Sequence, residues 1–234
     1  MAKAVARKQL PAGITPVIED YLKTIYFMAQ EQAQVKTTDV AKRLRVKPSS
    51  VTAMLKTLAD LKLVEYRPYY GVALTPLGNQ IALEVIRHHR LIELYLVKAL
   101  GFSWDEVHEE AEVLEHVLSE KLEARIAAHL GDPTLDPHGD PIPALDGTLP
   151  ETATMTLADA PLRKRLRVVR VRDQDAERLR YIATLGLVPG AHLRLIERAP
   201  FEGPVTVRIG KRVHALDSRL ARTILVEEAP RHPS

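Results

Sequence analysis

Cysteine is absent from the 234 residues. Its absence removes disulfides, thiolate nucleophiles and thiolate zinc sites together, so any metal site has to be built from His, Asp, Glu, Met or backbone oxygen. No run of about 18 apolar residues occurs, and no membrane span is expected. Residues Met1–Lys8 (MAKAVARK) lack the apolar stretch and cleavage pattern of a secretory signal. The expectation is a cytoplasmic chain that starts with a short, basic, disordered arm. Internal repeats and coiled-coil heptads are also missing. What is present is apolar content of 46%, enough for packed cores.

Net charge is only +3, yet it is unevenly spread. Residues 1–80 hold 12 Lys+Arg against 6 Asp+Glu, whereas residues 81–130 hold 5 against 10. A basic N-terminal third suits a polyanion and an acidic middle suits cations, although plain solvated surface charge has the same signature.

Apolar spacing predicts a helix over about Pro16–Glu31, with Ile18, Leu22, Ile25 and Ala29 in one stripe, and a short helix after Thr37-Thr38. A third helix is predicted over about Pro48–Lys62, then two short strands around Pro68-Tyr69-Tyr70-Gly71. Three helices and a hairpin make a winged helix-turn-helix. Thr75-Pro76 opens a long helix to about Leu100, and another is expected to run unbroken from about Ser103 to Leu130. Residues 132–161 are rich in Pro, Gly, Asp and Thr and read mostly as loop and linker. From Leu166 the pattern turns to five short strands, interrupted by one helix over about Asp175–Leu185, which predicts a small SH3-like β-barrel. The expected fold class is therefore mostly α plus β. Its parts are a winged-helix domain (1–75), a helical domain (76–145), a linker (146–162) and an SH3-like domain (163–234).

His108, Glu112, Glu115 and His116 are spaced i, i+4, i+7 and i+8, which places all four on one face of an unbroken helix. His89 and Glu93 share a face upstream, and Asp20 lies beside the apolar stripe of the first helix. Clustered carboxylates repel and are costly to desolvate, and a divalent cation reverses both penalties. An exposed acidic helix face is the plainer alternative. Oxygen and imidazole donors without sulfur suit harder cations such as Mn²⁺, while Fe²⁺ and other divalent transition metals fit the same donors.

Val46-Lys47-Pro48-Ser49-Ser50-Val51-Thr52 opens the third helix, whose N-terminal residues enter the major groove in a helix-turn-helix. Ser49, Ser50 and Thr52 are short hydroxyl donors for phosphates or base edges, with helix capping as the competing role for the two serines. Lys47 and Lys56 are candidate phosphate partners, Pro48 sets the helix start, and the wing carries Arg67, Tyr69 and Tyr70. With few bulky base readers, much of the readout is expected to be indirect.

With these motifs in place, the chain resembles the diphtheria-toxin-repressor family of metal-dependent regulators, including its manganese-responsive branch. The resemblance is carried by Glu19–Tyr26, Lys47–Thr52, Leu74-Thr75-Pro76-Leu77-Gly78, His89–Glu93, Val107–Glu112, Glu115-His116 and Gly139-Asp140-Pro141-Ile142-Pro143. It implies a helical dimerisation domain, a homodimer on double-stranded operator DNA, and control of metal-uptake genes. It further implies a primary metal site from Asp20, Glu112, Glu115 and His116, and a second from His89, Glu93 and His108, with His89 also a candidate for the primary ions. Iron-responsive members carry Met and Cys where this chain has Asp20 and Glu112; the manganese branch carries carboxylates there. That branch has a Glu ligand where Lys23 stands and usually lacks the SH3-like domain, so this chain combines features of both. Full-length relatives lend two polar ligands from the SH3-like domain. The matching region falls near Asp175 and Glu177 or Arg178, of which Asp175 is the candidate and Arg178 could not ligate.

Enzymatic readings fare worse. His108-Glu109-Glu110-Ala111-Glu112 starts like H-E-x-x-H but ends in Glu. A ferritin-like oxidase needs Glu three residues before each His, where Ile86, Asp105 and Val113 stand. No small-molecule substrate is expected. The expected mechanism is a metal tether between Asp20 on the first helix and the Glu112–His116 region, fixing the spacing of two recognition helices.

Overall fold

The computed structural model describes residues 13–229; the expected N-terminal arm lies outside them. The chain divides into two compact units. Of the described residues, one comprises 13–89 together with Val113–Ile126 and Pro143–Leu149, and the other comprises Arg90–Glu112, Ala127–Ile142 and 150–229.

The first unit opens with helix α1 (Pro16–Glu31). Thr15 caps it by accepting the Ile18 N–H at 3.4 Å, and Pro16 sits where a missing N–H costs nothing. Its buried face carries Ile18, Tyr21, Leu22, Ile25 and Met28. Helix α2 (Thr37–Leu44) ends on Arg45, whose φ of 55° turns the chain into α3 (Pro48–Asp60). Val40, Val51, Leu55 and Leu58 are fully buried beneath these helices. Strands β1 (Val64–Arg67) and β2 (Gly71–Leu74) pair antiparallel as the wing, and the Val72 N–H donates to the Val35 carbonyl at 3.0 Å.

Helix α4 (Pro76–Leu100) follows. Thr75 Oγ1 accepts the Gly78 N–H at 3.1 Å and donates to the Lys62 carbonyl at 2.8 Å, which ties the start of α4 to the hairpin. A Cβ on Gly78 would stand 2.0 Å from the Leu63 carbonyl oxygen, so only glycine permits this approach.

The unbroken helix expected over Ser103–Leu130 is two helices, α5 (Val107–Leu114) and α6 (Glu120–His129). Glu115 to Val117 form a turn, and Ser119 restarts the helix by accepting the Leu122 N–H on its hydroxyl and the Glu123 N–H on its carbonyl. Apolar periodicity runs on across the break, where Glu115 is held by Lys23 and His89, far away in sequence.

In the second unit, β3 (Arg165–Val171), α7 (Ala176–Thr184), β4 (His192–Arg198), β5 (Val205–Ile209), β6 (Arg212–Leu216), α8 (Ser218–Thr223) and β7 (Ile224–Glu228) build one antiparallel sheet in the order β6-β5-β4-β3-β7. Leu166, Val168, Leu193, Leu195 and Val207 alternate inward and pack on Leu179 and Ile182 of α7. The SH3-like topology holds, but the expected barrel does not close. The outer edge of β7 is met instead by residues 155–157, through Leu157 N–H to the Ile224 carbonyl and Val226 N–H to the Met155 carbonyl. Covering an edge in this way removes a template for aggregation. Among the described residues no helix is long and apolar enough to cross a membrane.

Candidate metal centre

Within the first unit, α1 brings two adjacent carboxylates to the turn between α5 and α6. His116 Nδ1 lies 2.6 Å from Glu19 Oε2, while its Nε2 lies 3.1 Å from Asp20 Oδ1 and 3.5 Å from Glu115 Oε1. One side of the ring is thus held by a buried carboxylate and the other faces two further oxygens. Nε2, Asp20 and Glu115 each offer a donor atom, all within 4.8 Å of one another. Donors on one ion with bonds of about 2.1 Å sit about 3.0–3.5 Å apart at cis or tetrahedral angles. The residues present therefore fit a divalent cation, with Glu19 in the role of the outer carboxylate that fixes tautomer and ring orientation.

Glu115 is the most enclosed member, with a fully buried side chain. Its Oε1 accepts from Lys23 Nζ at 2.5 Å, its Oε2 lies 2.5 Å from His89 Nδ1, and its carbonyl lies 3.1 Å from His88 Nδ1. Burial pushes its pKa up, but the His89 hydrogen bond and the Lys23 ammonium outweigh this and hold the carboxyl below its ordinary value. Next to it, Glu123 meets Arg87 Nε at 2.5 Å and His88 Nε2 at 3.3 Å. Burial opposes ionisation there too, and the His88 and Arg87 hydrogen bonds prevail, lowering its pKa.

The second unit holds another cluster. Glu93 on α4 lies 3.4 Å from His108 Nδ1 and 3.8 Å from His138 Nδ1, and His108 Nε2 lies 3.7 Å from Glu112 Oε1. Glu93, Asp136 and His138 are all buried, and their donor atoms also converge within 4.8 Å. His138 stacks on Trp104 with ring centroids 5.3 Å apart and lies 2.7 Å from the Trp104 carbonyl through Nε2. Asp136 Oδ1 accepts the backbone N–H groups of His138 and Asp140, both at 2.8 Å. Burial, then Asp140 and Glu93, push the Asp136 carboxyl up to about 8. Burial lowers the His138 pKa, but the Glu93 hydrogen bond and charge and the Asp136 charge raise it to about 9. The loop is seated by Gly139, where a Cβ would meet the Val169 carbonyl oxygen at 2.0 Å.

Of the expected ligands, the structure brings Asp20, Glu115 and His116 together in one unit, and Glu93, His108 and Glu112 into contact in the other. The phasing argument for one continuous helix fails, since Glu115 and His116 follow the end of α5. Asp175 is the N-cap of α7, accepting the Arg178 N–H at 2.9 Å, and belongs to none of the convergent donor groups among the described residues. Three residues escaped the sequence reading. Glu19 is visible there only as the carboxylate next to Asp20; Asp136 and His138 are an acid and an imidazole in a stretch that reads as linker.

The candidate DNA-reading residues form a second surface of the first unit. Lys47 is the N-cap of α3 and supplies no side-chain cap. Ser49 and Ser50 are exposed and their hydroxyls have no protein partner among the described residues, so the capping role is not the one they serve. Thr52 Oγ1 donates to the Pro48 carbonyl at 3.0 Å. Lys56, Arg67, Tyr69 and Tyr70 are exposed, and Gln34 donates to the Tyr70 carbonyl.

A winged helix-turn-helix joined through its first helix to a carboxylate–imidazole centre defines a metal-responsive DNA-binding regulator. The chain matches the iron-dependent repressor N-terminal DNA-binding domain over residues 13–72, the iron-dependent repressor metal-binding and dimerisation domain over 75–144, and the FeoA domain over 155–228. It belongs to the diphtheria-toxin-repressor family of metal-dependent transcriptional repressors, in the form that carries a FeoA domain. It is 31% identical over 223 residues to the iron-dependent repressor IdeR of Mycobacterium tuberculosis, spanning 90% of this chain and 96% of that one. The transcriptional regulator MntR of Geobacillus kaustophilus is 36% identical over 105 residues, 45% of this chain and 74% of that one. A solved manganese-dependent transcriptional repressor in complex with manganese is 40% identical, with a TM-score of 0.82, covering 91% of this chain and all of that one. The family is one of regulators, not enzymes.

Proposed function

We propose that this chain is a cytoplasmic, Mn²⁺-activated repressor that binds operator DNA as a homodimer and controls metal-ion uptake. The observation that carries the reading is His116, which turns Nε2 toward Asp20 of α1 and toward Glu115 while Glu19 holds Nδ1. A cation taken by Asp20, Glu115 and His116 supplies a bond between the reading head and the helical region. The protein's own share is to present these donors in register, with Lys23 balancing the buried Glu115 carboxylate. Fixing α1 fixes α3, whose uncapped first turn, with Ser49 and Ser50, offers N–H and hydroxyl donors to phosphate. In a dimer the two copies of α3 then meet half-sites about 34 Å or a multiple apart. Val113, Leu114, Val117 and Leu122 are exposed apolar residues of the first unit and supply the face for a second copy.

The donor chemistry favours Mn²⁺, since oxygen and imidazole without sulfur suit harder ions. Glu112 as a further ligand, and His89, Glu93 and His108 as a second set, follow from the family resemblance and are carried forward as such. Glu93 with Asp136 and His138 is a further candidate second set. Fe²⁺ is the second reading, favoured by the likeness to IdeR over 90% of the chain. Operator affinity titrated against Mn²⁺ and, anaerobically, against Fe²⁺ separates the two. In the same assay Mn²⁺ raises wild-type affinity by roughly 5–150-fold, the usual range of such coupling, and Asp20→Ala abolishes the gain. Full metal activation of Asp20→Ala would overturn the tether.

A further inference from the structure

The net charge of the chain is +3, but residues 163–228 alone hold 15 Lys+Arg against 8 Asp+Glu. The excess is concentrated in register. Arg165 on β3 pairs directly with Arg194 on β4, and Arg194 pairs directly with Arg208 on β5. Residues directly opposite in an antiparallel pair point to the same face, and all three are exposed while their chain neighbours Leu166, Leu193, Leu195 and Val207 are buried. Three guanidinium groups thus stand in one transverse row. Neighbouring strands lie about 4.8 Å apart, so the row spans about 10 Å.

Like charges placed directly opposite destabilise a sheet, and acids on the same sheet do little to offset this row. Glu227 and Glu228 at the β7 edge are engaged by Arg167 and Lys164, at 2.6 and 3.3 Å. Glu197 lies beyond the β4 bulge, in register with Thr206. No ion pair involves Arg165, Arg194 or Arg208 among the described residues. A solvated row of this kind calls for an external anion with repeated charge.

We propose that this outer face of the FeoA-type sheet binds the phosphodiester backbone of duplex DNA, as a second, sequence-independent contact of the repressor. Guanidinium forks match phosphate oxygens two at a time. Along one strand of duplex DNA the phosphates recur about every 3.4 Å of axis, so a row of about 10 Å matches about three phosphates. The proposal rests on the repressor reading in one respect: a chain held on DNA by its reading head meets that DNA at high effective concentration, so weak backbone contacts become occupied. No base edge is read, and the sheet adds affinity without changing the operator preferred.

The test uses the full chain and a duplex lacking the operator, with chelator present, so its outcome is independent of metal activation. Fluorescence anisotropy gives the slope of log K against log salt for the wild type, for Arg165→Gln/Arg194→Gln/Arg208→Gln and for the corresponding triple Lys variant. The triple Gln variant is expected to show a slope shallower by about 0.9 for each phosphate it no longer neutralises, up to about 2.7 per protomer. The Lys variant keeps the wild-type slope. An unchanged slope in the Gln variant overturns the proposal, as does an equal reduction in the Lys variant. So does binding to phosphatidylserine vesicles that falls while duplex binding holds, which would make this a membrane-facing surface. Failure of the repressor reading would appear elsewhere, in a wild-type operator affinity indifferent to Mn²⁺.

Discussion

The two carboxylate–imidazole clusters use the same side-chain types and balance their charge differently. At Glu115 an ammonium stands against the carboxylate, Lys23 Nζ at 2.5 Å. At Asp136 the Arg90 guanidinium is 3.9 Å away, and burial, then Asp140 and Glu93, push the carboxyl up to about 8. The first cluster is assembled from α1 and a turn 97 residues away, and its Asp20 side chain is 40% exposed. In the second, Glu93, Asp136 and His138 are buried and are held by a stacked Trp104 and two backbone N–H groups, while His108 and Glu112 are partly exposed. An ion taken by the first would have to displace the Lys23 ammonium from Glu115 and would join α1 to the turn after α5; one taken by Glu93, Asp136 and His138 would be held by side chains already buried together. On the proposed function the first would serve sensing and the second reinforcement.

That contrast can be broken at several points. Glu19→Gln removes the carboxylate that orients His116 without removing a donor, and is expected to weaken Mn²⁺ binding at the first cluster by about 10–100-fold, measured by isothermal titration. Glu93→Gln should remove one ion per protomer and shrink the rise in melting temperature that Mn²⁺ produces, yet leave most of the DNA response intact; disappearance of the DNA response would erase the division of labour. Lys23→Met takes away the resident cation. Its metal-free melting temperature should fall, since Glu115 is left buried without that partner, while Mn²⁺ affinity rises several-fold because no ammonium has to be displaced.

The smallest effect on sensing is expected from Glu123→Gln, which spares all donors. The folded-state pKa of Glu123 is lowered, so its ionised form stabilises the fold above the ordinary value of 4.5, and this contribution fades as pH falls through the folded value. Melting temperatures of variant and wild type should differ at neutral pH, by about 2–4 °C for each kcal/mol of stability removed, and converge in acid. Mn²⁺ affinity should not move.

Much of this was legible in the sequence, for identifiable reasons. The start of α3 at Pro48, the wing around Tyr69 and the alternation of β3 are local patterns, and the structure keeps them; of the expected α1 stripe it buries Ile18, Leu22 and Ile25 but exposes Ala29, with Met28 buried in its place. Asp20, Glu115 and His116 were legible through residue type and the family resemblance, although the single-helix argument for two of them was wrong. The stripe from His108 to His116 continues the helical period across the break, where Ser119 caps the next helix and Glu115 is held by Lys23 and His89, 92 and 26 residues away. Glu19, Asp136 and His138 gain their meaning from tertiary partners. That the final sheet stays open is also a non-local fact, since the outer edge of β7 is covered by residues 155–157.

Linkage between metal and DNA through the α1–His116 junction is the central claim. Binding free energies require that operator DNA tighten Mn²⁺ by the same factor by which Mn²⁺ tightens operator DNA. Titrating Mn²⁺ into the protein with and without saturating operator duplex measures this. The predicted result is a matched gain in wild type that disappears in Asp20→Ala. Identical Mn²⁺ affinity with and without the duplex would contradict it.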